Sequence, residues 1–412
     1  MISGYKQTEV GIIPSDWEVQ SIASLGTFTK GQGIRKNEAS SGDIPCIRYG
    51  EIYTHHNDIL RVFNSRISDR VASGSRLLRK GDLLFAGSGE TKAEIGKCVA
   101  FVSDVIAYAG GDIVILSPRK GDSFFLGYLL NAPLVARQKA SKGQGDAVVH
   151  ISATALSSVK IPIPPLAEQS AIATALSDVD SLLHSLDRLI AKKRDLKKAA
   201  MQQLLTGQKR LPGFSGEWLR AELKHLVRTP ITDGPHLTPT FYETGVPFLS
   251  VNNLTNNRID LTELRFISKA DDEIFSRKCK PQKGDVLLGK AASVGKVAIV
   301  EDDLDFNIWS PIALVRSGDT LDAKFLYFQL LSADSITQVT LLTNSSSQGN
   351  IGMGDIEKIQ ISYPCVDEQI AISKVLTSMD MEISALESRQ KKTSALKQGM
   401  MQELLTGRTR LV

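Results

Sequence analysis

Two segments of the sequence have the residue types, but not the full pattern, of known catalytic motifs. The segment from Gly289 to Lys296 reads GKAASVGK and has the glycines and the lysine of a phosphate-binding loop. Its spacing is one residue too long, and Val297 stands where such a loop needs a Ser or Thr for magnesium. We therefore expect this segment not to bind a nucleotide.

The second segment resembles the metal-binding residues of a nuclease. Asp82 is followed by Glu90, Thr91 and Lys92, and carboxylates of this kind can hold a divalent ion beside a phosphodiester. In an internal repeat described below, Asp285 corresponds to Asp82, but no Glu-x-Lys follows it. We favour the other interpretation, which is a turn at Asp82 followed by a charged loop.

The remaining residues indicate no catalytic, metal or cofactor site. The six histidines have no HExxH or similar spacing, and the Asn-Pro-Pro-Tyr type of motif that holds the target base in amino-methyltransferases is missing. No glycine-rich segment between a strand and a helix suggests a site for S-adenosylmethionine. The cysteines form no CxxC pair, so they indicate no metal site and fit a reducing cytoplasm; they are Cys46, Cys98, Cys279 and Cys365.

Two long helices are the clearest elements that could organise the chain. The segments from Glu168 to Gly207 and from Glu368 to Gly407 align without a gap. In both segments, apolar residues recur at alternating steps of four and three, which predicts a coiled-coil seam. The seam residues are Ile172, Leu176, Val179, Leu183, Leu186 and Ile190 in the first segment, and Ile372, Leu376, Met379, Ile383 and Leu386, followed by Gln390, in the second.

The later part of each helix is expected to use a shifted seam. The residues of this shifted seam are Leu196, Ala200 and Leu204 in the first helix, and Leu396, Met400 and Leu404 in the second. Gly207 and Gly407 are placed to end the helices in a left-handed conformation. A helix of about 39 residues is about 58 Å long. We expect the two helices to pack on each other, and the connectivity then requires them to be antiparallel.

Each helix follows a region of short strands, helices and many glycines. In the first region we predict strands at 44–49, 82–85, 97–102 and 112–116, and a helix at 124–140. The second region repeats this order, because residues 44–52 (IPCIRYGEI) match 246–254 (VPFLSVNNL), and 77–87 match 279–289. The repetition indicates an internal duplication of about 200 residues.

The sequence therefore predicts an α+β fold with two globular domains in a pseudo-twofold arrangement, separated by two long antiparallel helices. The predicted globular domains are residues 1–160 and 211–362, and the predicted helical spacer regions are residues 161–210 and 363–412. An antiparallel helix pair returns the end of the chain to the first domain. We therefore expect the two chain ends to lie close together.

The composition is that of an ordinary globular protein. Of the 412 residues, 42% are hydrophobic and 23% are charged. No apolar run is long enough to cross a membrane, and the first residues lack a signal-peptide pattern, so we expect a cytoplasmic protein. The formal net charge of +4 permits a nucleic-acid partner but does not require one.

In this organisation the sequence resembles the specificity (S) subunits of type I restriction-modification systems. The resemblance depends on two divergent α+β regions, each followed by a helix that begins Glu-Gln-x-Ala-Ile and ends Leu-Leu-Thr-Gly. It also depends on the junction LLTGQKRLPGFSGEW at residues 204–218. The resemblance covers the whole chain.

The resemblance implies a non-catalytic subunit that gives a complex its DNA specificity. Each globular domain would be a target-recognition domain that reads one half of an asymmetric, two-part sequence in double-stranded DNA. The helices would set the spacing of the half-sites and bind two methyltransferase subunits, and restriction subunits would join the full complex. A coiled-coil scaffold with two protein-binding heads remains an alternative interpretation.

Base recognition needs hydrogen-bonding side chains on loops, together with cations that contact phosphates. The candidates in the first domain are Lys30, Gln32, Arg35, Lys36, Arg48, Tyr49, His55, His56, Lys92, Lys142, Gln144 and His150. The candidates in the second domain are His236, Thr238, Asn252, Asn253, Asn256, Asn257, Arg258, Lys290, Ser293, Asn344, Ser345, Gln348 and Asn350. Each residue could instead be a solvated loop residue, but the uncharged, amide-rich segments of the second domain suit base-edge hydrogen bonds.

The first helix also carries a basic run, residues 192–198 (KKRDLKK). One interpretation is a solvated face that interacts favourably with the C-terminal end of the helix dipole. The functional interpretation is contact with phosphates of the DNA between the two half-sites. Ala199, Ala200 and Gly399 could instead pack closely against a helix of a partner protein.

Overall fold

The computed structural model describes residues 4–344 and 349–411. The chain divides into two compact units: unit 1 contains Met1–Asp187 and Ser388–Val412, and unit 2 contains Arg188–Glu387. Two helices of 39 residues, Leu166–Leu204 and Val366–Leu404, continue from one unit into the other, and their length confirms the prediction. Within the described ranges, no helix has the length and apolar character needed to cross a membrane.

Unit 1 is built from short strands and helices. Its strands are β1 (Tyr5–Thr8), β2 (Gly11–Pro14), β3 (Glu18–Ser21), β4 (Gly26–Lys30), β5 (Ile44–Ile47), β6 (Ser65–Ile67), β7 (Arg76–Leu77), β8 (Leu83–Ala86), β9 (Ser88–Gly89), β10 (Cys98–Ala100), β11 (Tyr108–Ala109), β12 (Ile113–Pro118), β13 (Val149–His150) and β14 (Lys160–Ile163). Its helices are α1 (Tyr49–Thr54), α2 (Asp69–Ser73), α3 (Ser123–Leu129), α4 (Pro133–Lys142) and α5 (Ala153–Ser157), followed by the first part of α6 (Leu166–Leu204).

Unit 2 repeats the same plan with different loops. Its strands are β15 (Leu219–Glu222), β16 (Thr232–Asp233), β17 (Val246–Leu249), β18 (Leu254–Thr255), β19 (Arg258–Ile259), β20 (Arg265–Ile267), β21 (Val286–Gly289), β22 (Val297–Ile299), β23 (Asn307–Ile308), β24 (Ile312–Val315) and β25 (Gln360–Tyr363). Its helices are α7 (Lys269–Ser276), α8 (Ala323–Leu330), α9 (Ala333–Leu342) and α10 (Met353–Glu357), followed by the first part of α11 (Val366–Leu404).

Each unit has a main antiparallel sheet that packs against its helical segments. The strand order is β10-β8-β12-β4 in unit 1 and β16-β24-β21-β22 in unit 2. Smaller sheets have the orders β6-β5-β11-β7 and β20-β17-β23. The main cores combine residues of the sheet with residues of both helical segments, for example Phe85, Ile172 and Leu404 in unit 1, and Leu288, Ile372 and Leu204 in unit 2.

A buried carboxylate in the first turn of each long helix is neutralised by an arginine. Glu168 of unit 1 accepts hydrogen bonds from the Trp17 indole at 2.9 Å and from the Arg410 guanidinium at 2.6 and 2.8 Å. Glu368 of unit 2 accepts two hydrogen bonds of 2.6 Å from Arg210. Both carboxylates have no solvent exposure, and a buried charge needs such a partner because its desolvation is unfavourable.

The first and last described segments of the chain lie together in unit 1, as the sequence predicted. The Tyr5 hydroxyl donates to the Gly407 carbonyl at 3.0 Å. Gly207 and Gly407 have φ angles of +69° and +70°, so both adopt the predicted left-handed conformation after the helix. Arg408 N–H then donates to the Glu403 carbonyl at 2.9 Å, which closes the end of α11.

The seam of the long helices continues without the predicted shift. Leu196 and Leu396, two of the predicted seam residues, are 47% and 58% exposed. The seam instead continues at Thr393 and Lys397, which are 9% and 8% exposed, and at the corresponding residues of α6. The prediction was wrong for Leu196 and Leu396 because it assumed apolar seam residues, whereas a long lysine side chain can occupy a seam position when carboxylates neutralise it. The other residues predicted for this part of the seam are buried or pack against the cores, namely Ala200, Leu204, Met400 and Leu404.

A carboxylate neutralises this seam lysine in both units. In unit 1, Lys397 Nζ lies 2.7 Å from Asp58 Oδ2 and 2.8 Å from Asp180 Oδ1. Burial alone would lower the pKa of Lys397, but the two carboxylates hold it above its usual value. In unit 2, Lys197 Nζ lies 2.5 Å from Asp380 Oδ1.

The two helical segments within each unit run antiparallel. In unit 1, Lys397 pairs with Asp180, whereas Gln390, earlier on the same helix, donates to Asp187, later on the other helix. In unit 2, Lys197 pairs with Asp380 and Lys193 with Glu382, again in opposite directions. The predicted antiparallel pairing is therefore confirmed inside each unit.

The helix predicted at 124–140 is in fact two helices. Helix α3 ends at Leu129 and α4 begins at Pro133. Asp122 caps α3 by accepting hydrogen bonds from the N–H groups of Phe124 and Phe125 at 2.9 and 3.0 Å. Pro133 has no N–H for an intrahelical bond, so it begins a new helix instead of continuing the first. The four predicted strand segments overlap β5, β8, β10 and β12, although β8 and β12 continue beyond the predicted ends, to Ala86 and Pro118.

Replacement of Lys397 by Met should destabilise unit 1, because it removes the cation that lies closest to two largely buried carboxylates, Asp58 and Asp180. We expect the free energy of unfolding to fall by about 3–5 kcal/mol. Hydrogen exchange of β8 and β10 measures this change, since the slowest amides report unfolding of the whole unit. Lys391→Met, at an exposed position of the same helix, is the control and should change stability by less than about 0.5 kcal/mol. Equal effects of both substitutions would contradict the role of the seam lysine.

Lys139 is a buried cation in unit 1 whose partners are carbonyl oxygens. It is 2% exposed, and its Nζ donates to the carbonyls of Gly96 at 2.6 Å and Leu130 at 2.7 Å. Burial lowers the pKa of Lys139 from 10.5 to about 8. Between these two values the unfolded chain binds more protons than the folded chain, so this group makes stability rise with pH across that window. Val339 occupies the corresponding position in unit 2.

Replacement of Lys139 by Met should remove this rise. Between pH 8 and pH 10.5, the free energy of unfolding of wild-type unit 1 should increase by about 3 kcal/mol relative to that of the variant. Urea unfolding, monitored by the fluorescence of Trp17, measures the free energy of unfolding at each pH. The chain used has Phe in place of Trp218 and Trp309, so that Trp17 alone reports. Parallel pH profiles for the two proteins would show that Lys139 is not responsible.

Candidate nucleic-acid interface

One end of the main sheet of unit 1 carries most of the candidate residues of the first domain. The strand register places Lys30 of β4, Ala86 of β8, Cys98 of β10 and Ile113 of β12 at the same end of the sheet. The loops beyond these strand ends therefore lie side by side. They are residues 31–36, 87–97 and 110–112.

These loops approach one another so closely that glycine is required between them. A Cβ atom on Gly31 would lie 1.9 Å from the Gly110 carbonyl oxygen, so no larger residue fits there. Gly87 N–H donates to the Asp112 carbonyl at 2.7 Å. The glycines of these loops thus allow the backbones to converge at one end of the sheet.

A hairpin at residues 144–150 joins the same loops. Gln144 and His150 exchange two backbone hydrogen bonds of 2.9 and 2.7 Å, which close the hairpin. Strand β13 pairs with β9 and places His150 opposite Ser88. We name the surface formed by loops 31–36, 87–97 and 110–112 and by this hairpin the unit 1 loop edge.

The unit 1 loop edge brings together most of the candidates predicted for the first domain. Those on the edge or immediately next to it are Lys30, Gln32, Arg35, Lys36, Lys92, Lys142, Gln144 and His150. All are exposed except Lys142, which is half-buried. Arg48 and Tyr49 lie beside the edge, because the preceding Ile47 carbonyl accepts a hydrogen bond from Gly110 at 2.9 Å.

His55 and His56 follow the end of α1 and are not part of the loops that form this edge. The chain continues from them to Asp58, whose carbonyl accepts a hydrogen bond from Ala100 at the opposite end of β10. His56 is 6% exposed, and burial lowers its pKa to about 4. Its imidazole is therefore neutral at physiological pH and is packed inside the unit.

The main sheet of unit 2 gathers loops at the corresponding end. Asp233 of β16, Gly289 of β21, Val297 of β22 and Ile312 of β24 lie at this end. The loops that meet there are residues 234–238, 290–296 and 309–311, together with 250–252 and with 344 and 349–350 of the described chain. We name this surface the unit 2 loop edge.

Backbone hydrogen bonds hold the unit 2 loop edge together around residues 309–311. Trp309 N–H donates to the Leu249 carbonyl at 2.9 Å, and Lys290 N–H donates to the Pro311 carbonyl at 2.8 Å. The candidates that the edge brings together are His236, Thr238, Asn252, Lys290, Ser293, Asn344 and Asn350. Ser345 and Gln348 lie outside the residues that the structure describes.

A buried carboxylate lies close to two lysines and a histidine at the unit 2 loop edge. Asp233 is 4% exposed and lies 2.5 Å from Lys278 Nζ, 2.9 Å from Lys290 Nζ and 3.2 Å from His236 Nε2. Burial alone would raise the pKa of Asp233, but hydrogen bonds from the two lysines hold it below its usual value. Asp233 therefore stays ionised at neutral pH and fixes Lys290 and His236 in place.

Asn253 has a role in the fold of unit 2. Its side-chain N–H groups donate to the carbonyls of Asp260 at 3.1 Å and Glu263 at 3.0 Å, and its Oδ1 accepts a hydrogen bond from Ser250 N–H at 3.0 Å. These bonds use the donors and the acceptor of the amide. Asn253 is therefore held by the loop in which it lies.

Asn256, Asn257 and Arg258 are not on the unit 2 loop edge. Asn256 and Asn257 have φ angles of +53° and +60° and form the two-residue turn between β18 and β19, a conformation that asparagine tolerates. The Tyr327 hydroxyl donates to the Asn257 carbonyl at 3.0 Å, so the hairpin lies against α8. The structure thus separates these three residues from the other candidates of the second domain.

Much of the basic run on α6 is neutralised within unit 2. Lys193 lies 2.6 Å from Glu382 and Arg194 lies 2.6 Å from Glu387, and Lys197 pairs with Asp380 as described above. Lys192 and Lys198 are exposed. The predicted contact between this run and DNA phosphates would therefore depend mainly on these two lysines.

Two residues of the loop edges were not predicted from the sequence. Ser88 is 4% exposed, and its Oγ lies 2.9 Å from Nδ1 of His150. Asp233 organises Lys290 and His236, as described above. A single serine or aspartate in a short strand carries no distinctive sequence signal, because strand pairing alone brings each of them to its partners.

The nuclease-like set does not assemble. Asp82 precedes β8, whereas Glu90 and Lys92 follow the other end of that strand. The Asp82 carboxylate accepts hydrogen bonds from Arg79 N–H at 2.8 Å and from Ser117 Oγ at 2.6 Å, so the favoured interpretation as a turn residue is confirmed. In the described part of the chain, no group of three or more His, Cys, Asp or Glu residues is placed to hold a metal ion.

Comparison with known proteins gives matches along nearly the whole chain. The family described as "Type I restriction modification DNA specificity domain" matches residues 14–192 and again residues 227–396. The chain is 27% identical to the putative type I restriction enzyme MjaX specificity subunit of Methanocaldococcus jannaschii, over 99% of this chain and 97% of the relative. It is 22% identical to the type I restriction enzyme EcoKI specificity subunit of Escherichia coli K12, over 96% and 89%.

Solved structures show the same fold. The S subunit of a type I restriction-modification system from M. genitalium aligns with a TM-score of 0.62 and 15% identity, over 94% of this chain and 96% of that chain. A chain from a study of assembly and conformational transition in the type I R-M system aligns with a TM-score of 0.56 and 18% identity, over 96% and 99%. The predicted α+β fold with two domains and long spacer helices is confirmed. Because the family matches both halves, the chain belongs to the DNA specificity subunits of type I restriction-modification systems.

Proposed function

We propose that the two loop edges each read one half of a two-part sequence in double-stranded DNA. The observation that carries this proposal is the convergence of cationic and hydrogen-bonding side chains at the same end of the main sheet in both units. Such side chains on a fixed backbone suit contact with phosphates and base edges. Membership of a DNA specificity family supports the same conclusion.

The two loop edges differ in the chemistry they offer to DNA. The unit 1 loop edge carries exposed cations such as Arg35 and Lys36, which suit phosphate oxygens. The unit 2 loop edge carries exposed amides such as Asn252, Asn344 and Asn350, which can match the donors and acceptors of base edges. Two different edges would read two different half-sites, so the whole target would be asymmetric.

The outward faces of the helical segments are the proposed docking surface for methyltransferase subunits. The seam of these segments is buried inside each unit, whereas Leu189 and Leu196 in unit 2 and Leu396 in unit 1 are exposed. A Cβ atom at Gly399 would meet no atom within 4 Å, so a partner helix could approach that position closely. Restriction subunits would join the assembled complex.

In this proposal the chain itself supplies recognition and its partner subunits supply the catalytic chemistry. The helices would also set the spacing between the half-sites. The proposal includes two predictions from the sequence. They are a cytoplasmic location and domain boundaries at residues 160, 210 and 362. Those boundaries are useful because they define the segments to exchange in an experiment.

Substitution of Arg35 and Lys36 by Ala should weaken DNA binding by the chain assembled with its methyltransferase partner. If each side chain contacts a phosphate, the slope of log affinity against log salt should fall by about 2. Arg119→Ala with Lys120→Ala is the matched control. This Arg-Lys pair is exposed at the opposite end of the sheet, where Arg119 N–H donates to the Leu25 carbonyl. Binding is measured by fluorescence anisotropy over a range of salt concentrations.

Two results of this experiment would count against the proposal. Equal salt slopes for the two double variants would show that the unit 1 loop edge does not contact DNA phosphates. A wild-type complex that binds no DNA at any salt concentration would favour the alternative interpretation, a coiled-coil scaffold with protein-binding heads.

Exchange of residues 211–362 for the corresponding region of a relative should change only one half of the recognised sequence. The reason is that the unit 2 loop edge is formed entirely within that segment. Exchange of residues 1–160 is the matched experiment and should change only the other half. Sequencing of DNA methylation in cells that carry the exchanged chain and its methyltransferase partner gives both half-sites. If one exchange changed both halves, the edges would not be independent readers.

A further inference from the structure

Residue 150 lies on a backbone that is fixed on both sides at the unit 1 loop edge. Its N–H and carbonyl pair with Gln144 at 2.7 and 2.9 Å, and the next residue, Ile151, donates to the Gly87 carbonyl at 2.9 Å. Val149 and Ile151 are buried, so the alternation of a strand directs the side chain of His150 outward. His150 is thus presented to solvent from a fixed position.

Residue 350 has the corresponding backbone position in unit 2. Asn344 N–H donates to the Asn350 carbonyl at 3.0 Å, and Ile351 N–H donates to the Lys290 carbonyl at 2.9 Å. Ile351 is fully buried and Asn350 is exposed. The same backbone frame therefore presents an imidazole in unit 1 and a carboxamide in unit 2.

The residue on the neighbouring strand also differs between the two frames. Ser88 lies opposite His150 in unit 1, whereas Ala291 lies opposite Asn350 in unit 2. Ser88 is 4% exposed, and its Oγ lies 2.9 Å from Nδ1 of His150. In the described part of the chain, Nδ1 is the one hydrogen-bond partner of this hydroxyl.

This buried hydroxyl determines which nitrogen of His150 carries the proton. A buried O–H group without an acceptor is unfavourable, so we assign the Ser88 hydroxyl as the donor to Nδ1. Nδ1 then carries no proton, and the N–H of the ring is at Nε2. His150 therefore offers one hydrogen-bond donor, Nε2–H, on the side of the ring away from Ser88.

We infer that His150 reads a guanine in the half-site recognised by unit 1, and that Asn350 reads the corresponding position for unit 2. This inference rests on the proposed function. A single N–H donor fits the major-groove edge of guanine, which presents the two acceptors N7 and O6. The carboxamide of Asn350 has both a donor and an acceptor, which match N7 and N6 of adenine.

The surroundings of His150 leave room for a base edge and a phosphate. A cavity of about 510 Å³ opens beside the imidazole and is lined by Lys30 and Ser88. Lys30 is exposed, so its ammonium group can contact a phosphate of the same DNA strand. His150 would then identify the base while Lys30 positions the backbone.

The test gives unit 1 the two side chains that unit 2 has at the corresponding positions. The full chain, assembled with its methyltransferase partner, selects bound duplexes from a randomised library, and sequencing gives the base preference at each position. One variant combines Ser88→Ala with His150→Asn and so copies Ala291 and Asn350; the other is Ser88→Ala alone. His225→Asn, an exposed histidine of unit 2 that lies outside both loop edges and both long helices, is the control.

The double variant should prefer adenine over guanine at one position of one half-site, with the preference changed by about tenfold. Ser88→Ala alone should weaken the preference for guanine at that same position, because the ring and its tautomer are no longer fixed. Its binding to nonspecific DNA should be unchanged, since phosphate contacts determine that affinity. His225→Asn should select the wild-type sequence.

Failure of the inference and failure of the proposed function give different results. If the wild-type complex selects a two-part sequence and the double variant selects the same one, the inference alone is wrong. If the wild-type complex selects no sequence, the proposed function and the inference fail together. Changed preferences in both half-sites would also overturn the inference, because His150 would then act through the whole protein.

Discussion

Each unit depends on a carboxylate that has no contact with water. Glu168 and Glu368 lie in the first turn of a long helix, and each is neutralised by an arginine that follows the end of the other long helix, Arg410 in unit 1 and Arg210 in unit 2. A buried carboxylate without this partner would destabilise the unit by several kcal/mol. The two helical segments of a unit therefore cannot separate without leaving a charge unpaired. The same contact holds the helix ends against the core that carries the main sheet and its loops.

The sequence predicted the large elements of the fold and missed details that depend on polar packing. A heptad repeat and a terminal glycine are local signals, so the length and antiparallel pairing of the helices were predictable. Leu196 was assigned to the seam because it is apolar, but the seam position belongs to Lys197, whose charge is neutralised by Asp380. That carboxylate lies on another helix, so the sequence around the lysine does not indicate that its side chain is buried.

The candidate site was predictable in its residue types but not in its geometry. Lys30, Gln144 and His150 are far apart in sequence, and only the strand register brings their loops to one end of the sheet. Asn256 and Asn257 were chosen for their amides, yet their left-handed backbone serves a hairpin turn. An asparagine that reads a base and an asparagine that forms a turn look the same in a sequence. The difference depends on which strands pair around them.

The division of the chain has a consequence for the order in which its parts can fold during synthesis. Unit 2 is continuous in sequence, from Arg188 to Glu387, whereas unit 1 needs Ser388–Val412 in addition to Met1–Asp187. Arg410 emerges from the ribosome 242 residues after Glu168, which takes roughly 10 to 50 seconds at about 5–20 residues per second. During that interval the first unit lacks a helix and the cation for its buried carboxylate. Unit 1 is therefore completed last, although its first part is synthesised first. The apolar face of its α6 segment stays unpaired while unit 2 folds.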